Sequence, residues 1–98
     1  MYAALTVRKL KPGSYDDWRT AWQPDEWPGG AERAYILRNV SNPDEVIAFG
    51  FFDADLASMR DDPSFRAQQL ARFERMAPHV ESMGADGVYE VVEVVEPT

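Results

Sequence analysis

Three polar side chains carry most of the catalytic chemistry that this sequence offers. His79 is the single histidine, and imidazole is the side chain that changes charge near neutral pH, which suits a general base or a ligand. Tyr35 and Arg38 are three positions apart in a strand-like segment, so they face opposite sides of it. We take His79, Tyr35 and Arg38 as catalytic candidates. The alternatives are that His79 faces solvent beside Pro78, and that Arg38, like Arg8, is a charge at a sheet edge rather than an anion clamp.

A second group of residues is suited to binding an aromatic or apolar molecule. Trp18 and Trp22 are four positions apart and therefore lie on one face of a helix. Gly50 interrupts an apolar strand and leaves space for a pocket floor beneath Trp22, unless it marks a β-bulge. The residues predicted to contact a ligand are Trp18, Trp22, Gly50, Phe52, Phe65 and Phe73. The alternative for the aromatic residues is that they form a packed core.

Several kinds of functional site are disfavoured by composition and motif. The chain has no cysteine, which excludes disulfides, thiolate metal sites and cysteine nucleophiles, and a lone histidine argues against a transition-metal centre. Glycine-rich phosphate loops and the G-x-S-x-G and H-E-x-x-H motifs do not occur. N-capping explains the aspartates near the predicted helix starts, which are Asp16, Asp17, Asp53, Asp55, Asp61 and Asp62. We therefore expect no metal and no cofactor.

The composition is that of a single globular domain spanning residues 1–98. Hydrophobic residues make up 45% of the 98 residues and charged residues 28%, a balance that argues against disorder. With 10 basic and 17 acidic residues the net charge is −7, so the chain repels phosphate backbones and nucleic acid is not an expected partner. No apolar run approaches the roughly 20 residues of a membrane span, and the N-terminus lacks a signal-peptide pattern. We expect a cytoplasmic protein with no membrane partner.

Four strands are predicted from runs of strand-forming residues. They span residues 2–10, 31–40, 45–52 and 87–95. The turn at residues 41–44 is short, so strands two and three should form an antiparallel hairpin.

Two helices are predicted between these strands. Ser14, with Asp17 three residues later, offers a capping box for the first helix, which Pro24 ends. Asp53 or Asp55 should cap a short helical turn, and a second long helix begins at the Asp62-Pro63 step. Its buried stripe is predicted to consist of Phe65, Leu70, Phe73, Met76, Ala77 and Val80.

The element order is therefore β-α-β-β-α-β. With right-handed crossovers it gives a ferredoxin-like α+β sandwich, in which one four-stranded antiparallel sheet carries two helices on one face. The other face is also apolar in strand three. There Ile47, Phe49 and Phe51 point to one face, and the alternating residues point to the other, which are Val46, Ala48, Gly50 and Phe52. A patch of this kind is unusual on a monomer. We predict a homodimer that packs sheet against sheet; the alternative is that the tail or a loop covers the patch.

In these features the chain resembles the antibiotic biosynthesis monooxygenase-like family of dimeric α/β-barrel proteins. The features are the element order, the Trp27-Pro28-Gly29 loop before strand two, the segment from Ala48 to Asp53, and the Asp62-Pro63 helix start. The resemblance implies a homodimer whose two sheets face each other. It also implies a pocket between the sheet and the helices of each protomer.

The resemblance implies a reaction class more clearly than a residue mechanism. The best-studied family members oxidise aromatic polyketides with O₂ and without metal or flavin, and rely on an Asn and a Trp late in strand three. Those positions match Ala48 and Phe52, which lack the donors that the mechanism needs. In the haem-degrading branch, a Trp and the axial His match Met59 and Gln69, which argues against haem.

Two functions are consistent with the sequence. The first is a small cofactor-independent monooxygenase-like enzyme that acts on an aromatic or apolar small molecule. The alternative is a non-catalytic dimeric module of the same fold that binds a small ligand or has a structural role. A polar group with a shifted pKa inside the cavity would favour the enzymatic function over the non-catalytic one.

Overall fold

One four-stranded antiparallel sheet, with strands in the order β2-β3-β1-β4, forms the centre of the molecule. A computed structural model describes residues 1–27 and 29–97. The strands are β1 (Tyr2–Leu10), β2 (Ala34–Asn39), β3 (Asn42–Phe52) and β4 (Val80–Glu90), and the helices are α1 (Tyr15–Trp22), α2 (Leu56–Asp61) and α3 (Pro63–Met76). The predicted ferredoxin-like fold is confirmed. Pro28 of the predicted loop motif and Thr98 of the tail lie outside the described residues.

Aspartate caps begin the second and third helices. The Asp55 carboxylate accepts hydrogen bonds from the Ser58 hydroxyl at 3.0 Å and from the backbone N–H of Ala57 at 3.0 Å. The Ser58 hydroxyl, together with the backbone N–H groups of Ser58 and Ala57, holds the pKa of Asp55 below its usual value. Asp62 accepts from the backbone N–H of Ser64 at 2.9 Å and precedes a proline at the first helical position, as predicted. These caps fix where α2 and α3 start over the sheet.

The start of α1 differs from the prediction in its hydrogen bonding. Ser14 is the N-cap residue, but its side chain makes no capping hydrogen bond with the described residues. The Ser14 carbonyl accepts the first intrahelical hydrogen bond, from the Trp18 N–H at 2.9 Å, so Ser14 begins the helix through its backbone alone. Asp16 and Asp17 occupy the first turn, where the helix dipole stabilises negative charge.

The fourth strand begins and ends earlier than predicted. Pro78 cannot continue α3, so the chain passes through a 3-10 turn (Ala77–His79) and enters β4 at Val80 rather than at Gly87. The strand pairs with β1 from Leu10↔Val80 to Tyr2↔Glu90. Its polar start is tolerated because β4 is an edge strand with one exposed side. Residues 87–90 of the predicted strand lie in β4. The rest of the predicted strand follows β4, and its residues 92–95 are exposed, with Val92 at 86%.

The hairpin between β2 and β3 is tighter than predicted. Asn39 pairs with Asn42, which leaves two residues, 40 and 41, as the turn. The Asn39 side-chain oxygen accepts from the Ser41 N–H at 2.8 Å, a local bond that stabilises such turns. At its other end, strand β2 starts at Ala34 instead of Ala31.

Helix α3 packs on the rest of the molecule with only part of the predicted stripe. Phe65 is partly buried, and Met76 and Val80 pack against the core. Leu70 and Phe73 are 59% and 45% exposed, so they do not form its buried side. Arg72 takes that place and donates to the Trp22 carbonyl from Nε at 2.9 Å and from Nη2 at 2.6 Å. The last carbonyls of a helix lack partners within it. Arg72 of α3 therefore donates hydrogen bonds to a free carbonyl at the C-terminal end of α1, which an apolar side chain could not do.

The core lies between α1 and the sheet. Trp18 is 1% exposed and packs with Leu10, Val46 and Ala48. Tyr15 and Trp22 flank it at ring-centroid distances of 5.9 and 6.5 Å. The core is small, so a single aromatic ring supplies a large share of it.

The opposite side of the sheet carries a continuous apolar surface, which we call the outer face. The strand register places Leu5, Phe49 and Tyr35 side by side, and Val7, Ile47 and Leu37 in the next row. The Tyr35 and Phe49 rings stack with centroids 5.3 Å apart. The full set is Leu5, Val7, Tyr35, Leu37, Ile47, Phe49, Phe51 and Tyr89.

Within the described part of the chain, no helix has the length and apolarity needed to cross a membrane.

Candidate functional site

A cavity of about 360 Å³ lies between the helix side of the sheet and the helices, and we call it the main cavity. Its floor is the region of β1, β3 and β4 around Thr6, Ala48 and Val88. Its roof comes from the end of α1, the following loop, α2 and α3. The roof side chains are Trp22, Trp27, Met59, Phe65, Gln69 and Arg72. The volume lies within the range of small-molecule sites.

Two tryptophan rings form one wall of the main cavity. The Trp22 and Trp27 centroids are 6.0 Å apart, with the ring planes at 70° to each other. This edge-to-face arrangement is favourable for aromatic pairs. Trp18 lies behind Trp22 in the core and does not line the cavity. A wall of fixed rings presents apolar area to a flat ligand with little loss of side-chain entropy on binding.

An ion pair between a buried arginine and a partly exposed aspartate places a carboxylate at the cavity floor. The Arg8 Nη2 donates to the Asp86 Oδ2 at 2.9 Å, and Arg8 is 6% exposed. A cation removed from water requires such a partner. Asp86 also pairs across the strands with Thr6, and both residues line the cavity. The floor therefore offers a fixed hydrogen-bond acceptor beside a hydroxyl.

A second cation lines the roof. Burial lowers the pKa of Arg72, with a further contribution from Arg75, which reflects partial loss of solvent around the guanidinium. A guanidinium nonetheless stays protonated in proteins. Hydrogen bonds to the Trp22 carbonyl and to Gln69 use three of its five N–H groups. The remaining two form no hydrogen bond with the described residues.

The structure brings part of the predicted ligand-contacting set together. Trp22, Gly50, Phe52 and Phe65 all line the main cavity. Trp18 is in the core, and Phe73 lies on the exposed side of α3 because Arg72 occupies the inward position. Contact of the four lining residues with a ligand remains a prediction.

The three catalytic candidates are not brought together and do not line the main cavity. Tyr35 lies on the outer face, stacked on Phe49. Arg38 faces the helices, but its guanidinium lies 4.4 Å from the Tyr15 ring centroid. His79 lies in the 3-10 turn that Pro78 imposes after α3. Each side chain is thus engaged or placed elsewhere by the sheet alternation and by the end of α3.

The polar groups that do line the cavity could not be identified from the sequence. Asp86 lay just before the predicted fourth strand, so its pairing with Thr6 and with Arg8 was not visible. Arg72 lay between two apolar residues of the predicted stripe. The signal available for Asp86 was Arg8 itself, because an arginine on the inner face of a central strand requires a nearby acid.

Gly50 lines the cavity for a reason other than an empty space. A Cβ atom built at Gly50 would lie 3.0 Å from the Arg33 carbonyl oxygen and 3.5 Å from the Ala34 Cα. The backbone at and just before the start of β2 therefore leaves too little room for a side chain unless it shifts by a few tenths of an ångström. Gly50 and Trp22 both line the main cavity, as expected. The expectation that Gly50 itself leaves room for a side chain is corrected, because the glycine permits a close approach of the two chain segments.

We expect Gly50→Ala to lower the free energy of unfolding by about 1 kcal/mol or more, because the added methyl meets backbone that cannot move freely. Gly87→Ala is the matched control, since its Cβ would find its nearest neighbour, the Tyr89 ring, at 3.7 Å. Removing a strand glycine there should stabilise the protein by a few tenths of a kcal/mol. Denaturant unfolding of both variants gives the comparison. Equal or higher stability of Gly50→Ala would show that the space is open.

Among residues 1–27 and 29–97, no three histidine, aspartate or glutamate side chains are grouped as a metal site requires. The ionisable groups of the main cavity are instead two acids and two arginines. They are Glu26, Asp86, Arg33 and Arg72.

Comparison with solved structures identifies the same fold in other proteins. A "putative antibiotic biosynthesis monooxygenase" from Chloroflexus aurantiacus superposes with a TM-score of 0.66 at 12% identity, over 97% of this chain and 96% of that chain. One of the same name from Nitrosomonas europaea gives a TM-score of 0.64 at 14% identity, over 95% and 100%. An uncharacterized NIPSNAP domain protein from Burkholderia xenovorans gives 0.59 at 17%, over 99% and 100%.

These likenesses confirm the predicted resemblance at the level of the fold. No family model and no curated protein matches the sequence. At identities of 12% to 17%, the shared feature is the arrangement of strands and helices rather than a set of site residues.

Proposed function

We propose that the protein is a small cofactor-independent monooxygenase-like enzyme that binds an aromatic small molecule in the main cavity. The observation that supports this most is the cavity itself. It combines a wall of aromatic rings, Trp22 and Trp27, with a few fixed polar groups, which is the usual composition of a small-molecule site. The names of the structures that share its fold are consistent with this reaction class.

The polar groups suit a hydroxylated aromatic ligand. A phenol becomes reactive towards O₂ when it loses its proton, because the phenolate is a much better electron donor. The Arg72 guanidinium, with two unused N–H groups, would stabilise the phenolate oxygen in a partly dehydrated site. Asp86, held by Arg8, would accept a hydrogen bond from a second hydroxyl. The proton of the phenol would leave to solvent.

The overall reaction balances without a cofactor. A naphthol and O₂ give a naphthoquinone and one water. One oxygen atom of O₂ becomes the new carbonyl oxygen, and the other leaves as water with two hydrogens of the substrate. The substrate loses four electrons, and O₂ accepts four. The chain would contribute orientation, exclusion of water and stabilisation of the phenolate.

The active form in this proposal is a homodimer that buries the outer face. Tyr35, Leu37, Phe51 and Tyr89 are exposed large apolar side chains on that face of a single chain. A second copy packed sheet against sheet would cover them and should bury more than about 1,200 Å² in total. The exposed valines after β4 offer further apolar area at the same assembly.

A direct test measures binding and oxygen uptake in parallel. Metal-free protein is titrated with 1-naphthol and dihydroxynaphthalenes while tryptophan emission is recorded, and the same mixtures are placed in an oxygen electrode. We expect saturable quenching and saturable oxygen uptake with quinone formation. Both should be reduced in Phe65→Ala, which enlarges the cavity, and retained in Phe73→Ala, its exposed counterpart on α3.

One observation favours the non-catalytic alternative. His79, Tyr35 and Arg38 all lie outside the main cavity, so the single imidazole of the chain does not line it. Binding without oxygen uptake would therefore identify a ligand-binding module. Absence of binding to the entire panel would contradict both functions.

We expect Arg72 to lower the pKa of a bound naphthol by about one unit or more, as a nearby opposite charge does for an acid. The phenolate fraction of bound 2-naphthol, read from its absorbance across pH, should therefore rise at lower pH than in water. Arg72→Gln should abolish the shift and Arg72→Lys should keep part of it. Arg75→Gln is the control, because Arg75 also donates to a carbonyl of α1 but does not line the cavity. If the bound naphthol titrates in Arg72→Gln as it does in the wild type, Arg72 does not lower its pKa.

A further inference from the structure

A second cavity of about 440 Å³ adjoins the main one between α2, α3 and β4. Met59, Phe65, Gln69 and Val88 line both spaces, so the two are neighbours with a shared, mostly apolar boundary. The second cavity is partly open to solvent. A ligand longer than a bicyclic ring could therefore extend from one cavity into the other.

Two arginines distinguish the second cavity from the first. Arg60, at the end of α2, and Arg66, in the first turns of α3, both line it and are exposed. Neither forms an ion pair with a carboxylate of the described residues. The nearby acid Asp62 is engaged, because its carboxylate accepts from the backbone at the start of α3. Asp61 is exposed and does not line the cavity.

The charge of the combined cavities is opposite to that of the chain. Their lining contains four arginines, which are Arg33, Arg60, Arg66 and Arg72, and two acids, which are Glu26 and Asp86. One of the acids, Asp86, is already paired with Arg8. The chain as a whole carries −7. A positive site in an acidic protein attracts anionic ligands locally while the remaining surface repels them.

We propose that the second cavity binds the anionic group, a carboxylate or a phosphate, of a ligand whose aromatic part lies in the main cavity. The proposal rests on ligand binding in the main cavity and adds the substrate class. The substrate would be a carboxylic acid or phosphate monoester whose anionic group is joined to an aromatic ring by a short apolar tether. Guanidinium groups fit both anions by paired hydrogen bonds. Met59, Phe65 and Val88 would contact the tether.

The test uses three ligands with the same naphthyloxy ring and a four-carbon tether. The tether ends in a hydroxyl, a carboxylate or a phosphate. At low salt, both anionic ligands should bind wild type about five- to tenfold more tightly than the alcohol, the scale expected for two exposed charge contacts. The advantage should shrink as salt is raised. A larger gain for one anion would identify which group the site prefers.

Matched variants assign the effect to the two arginines. The double variant Arg60→Gln, Arg66→Gln should bring the anionic ligands to within about twofold of the alcohol, with alcohol binding unchanged. Lys11→Gln removes one exposed positive charge outside both cavities and should change nothing. Circular dichroism would confirm that these surface variants fold.

The possible failures are distinguishable. If the alcohol binds wild type and the anions bind no more tightly, the anionic subsite is wrong and ligand binding in the main cavity stands. If the anions bind more tightly but the double variant keeps the full advantage, other groups supply it and the inference is also wrong. If none of the three ligands binds, ligand binding in the main cavity fails and the subsite falls with it.

Discussion

Phe49→Glu is expected to be monomeric at micromolar concentrations, where we expect the wild type to be a dimer. Phe49 lies in the middle of the outer face, stacked on Tyr35 and edge-on to Phe51 at 6.0 Å. In a symmetric dimer each substitution occurs twice, so two carboxylates would be buried without partners. A combined penalty of about 4 kcal/mol or more raises the dissociation constant about a thousandfold. Light scattering or sedimentation should then report the single-chain mass of 11.1 kDa.

Leu70→Glu is the matched control for the dimer. Leu70 is a similarly exposed apolar residue, but it lies on α3, in the helix layer on the other side of the sheet. This variant should remain dimeric. A wild-type protein that is monomeric at micromolar concentration, or a Phe49→Glu protein that stays dimeric, would contradict assembly through the outer face.

Trp18→Ala is expected to lower the free energy of unfolding by about 3–5 kcal/mol, the range for removing a fully buried large aromatic side chain. Trp18 is 1% exposed and belongs to a core cluster of few buried residues. The loss is a large share of the total stability of a small domain. At fixed protein concentration, the melting temperature should fall by about 15–30 °C.

Two further variants separate ring packing from other effects of Trp18. The Trp18 Nε1–H is buried and has no hydrogen-bond partner among the described residues. Trp18→Phe removes this unsatisfied donor and keeps an aromatic ring, so its cost should stay below about 2 kcal/mol. Trp27→Ala, at an exposed tryptophan of the cavity wall, should leave the melting temperature nearly unchanged. A Trp18→Ala protein as stable as Trp27→Ala would mean that the core lies elsewhere.

Patterns that depend on neighbours in sequence predicted much of the fold. Strand β1 has the predicted bounds, since its nine residues contain strand formers and end at the Lys11-Pro12-Gly13 stop. The Asp62-Pro63 step begins α3 as predicted, because capping is a local hydrogen-bond effect. The apolar character of both faces of β3 was also readable, because side chains alternate along a strand.

Features that depend on distant partners could not be predicted in this way. The polar start of β4 does not look like a strand, and it becomes one only through pairing with β1. The inward position of Arg72 depends on the free carbonyls at the end of α1, fifty residues earlier in the chain. The crowding at Gly50 comes mainly from the Arg33 carbonyl oxygen and from Ala34 at the start of β2. These long-range contacts also decide which polar groups reach the cavity.

Turnover under oxygen-18 gas tests the proposed monooxygenase activity most directly. Metal-free wild-type protein is incubated with 1-naphthol under labelled O₂ in ordinary water, and the resulting 1,4-naphthoquinone is analysed by mass spectrometry. We predict one labelled oxygen atom per quinone, formed faster than in a protein-free control and more slowly with Arg72→Gln. An unlabelled quinone, or formation at the protein-free rate while the ligand is bound, would contradict a monooxygenase and leave a ligand-binding module.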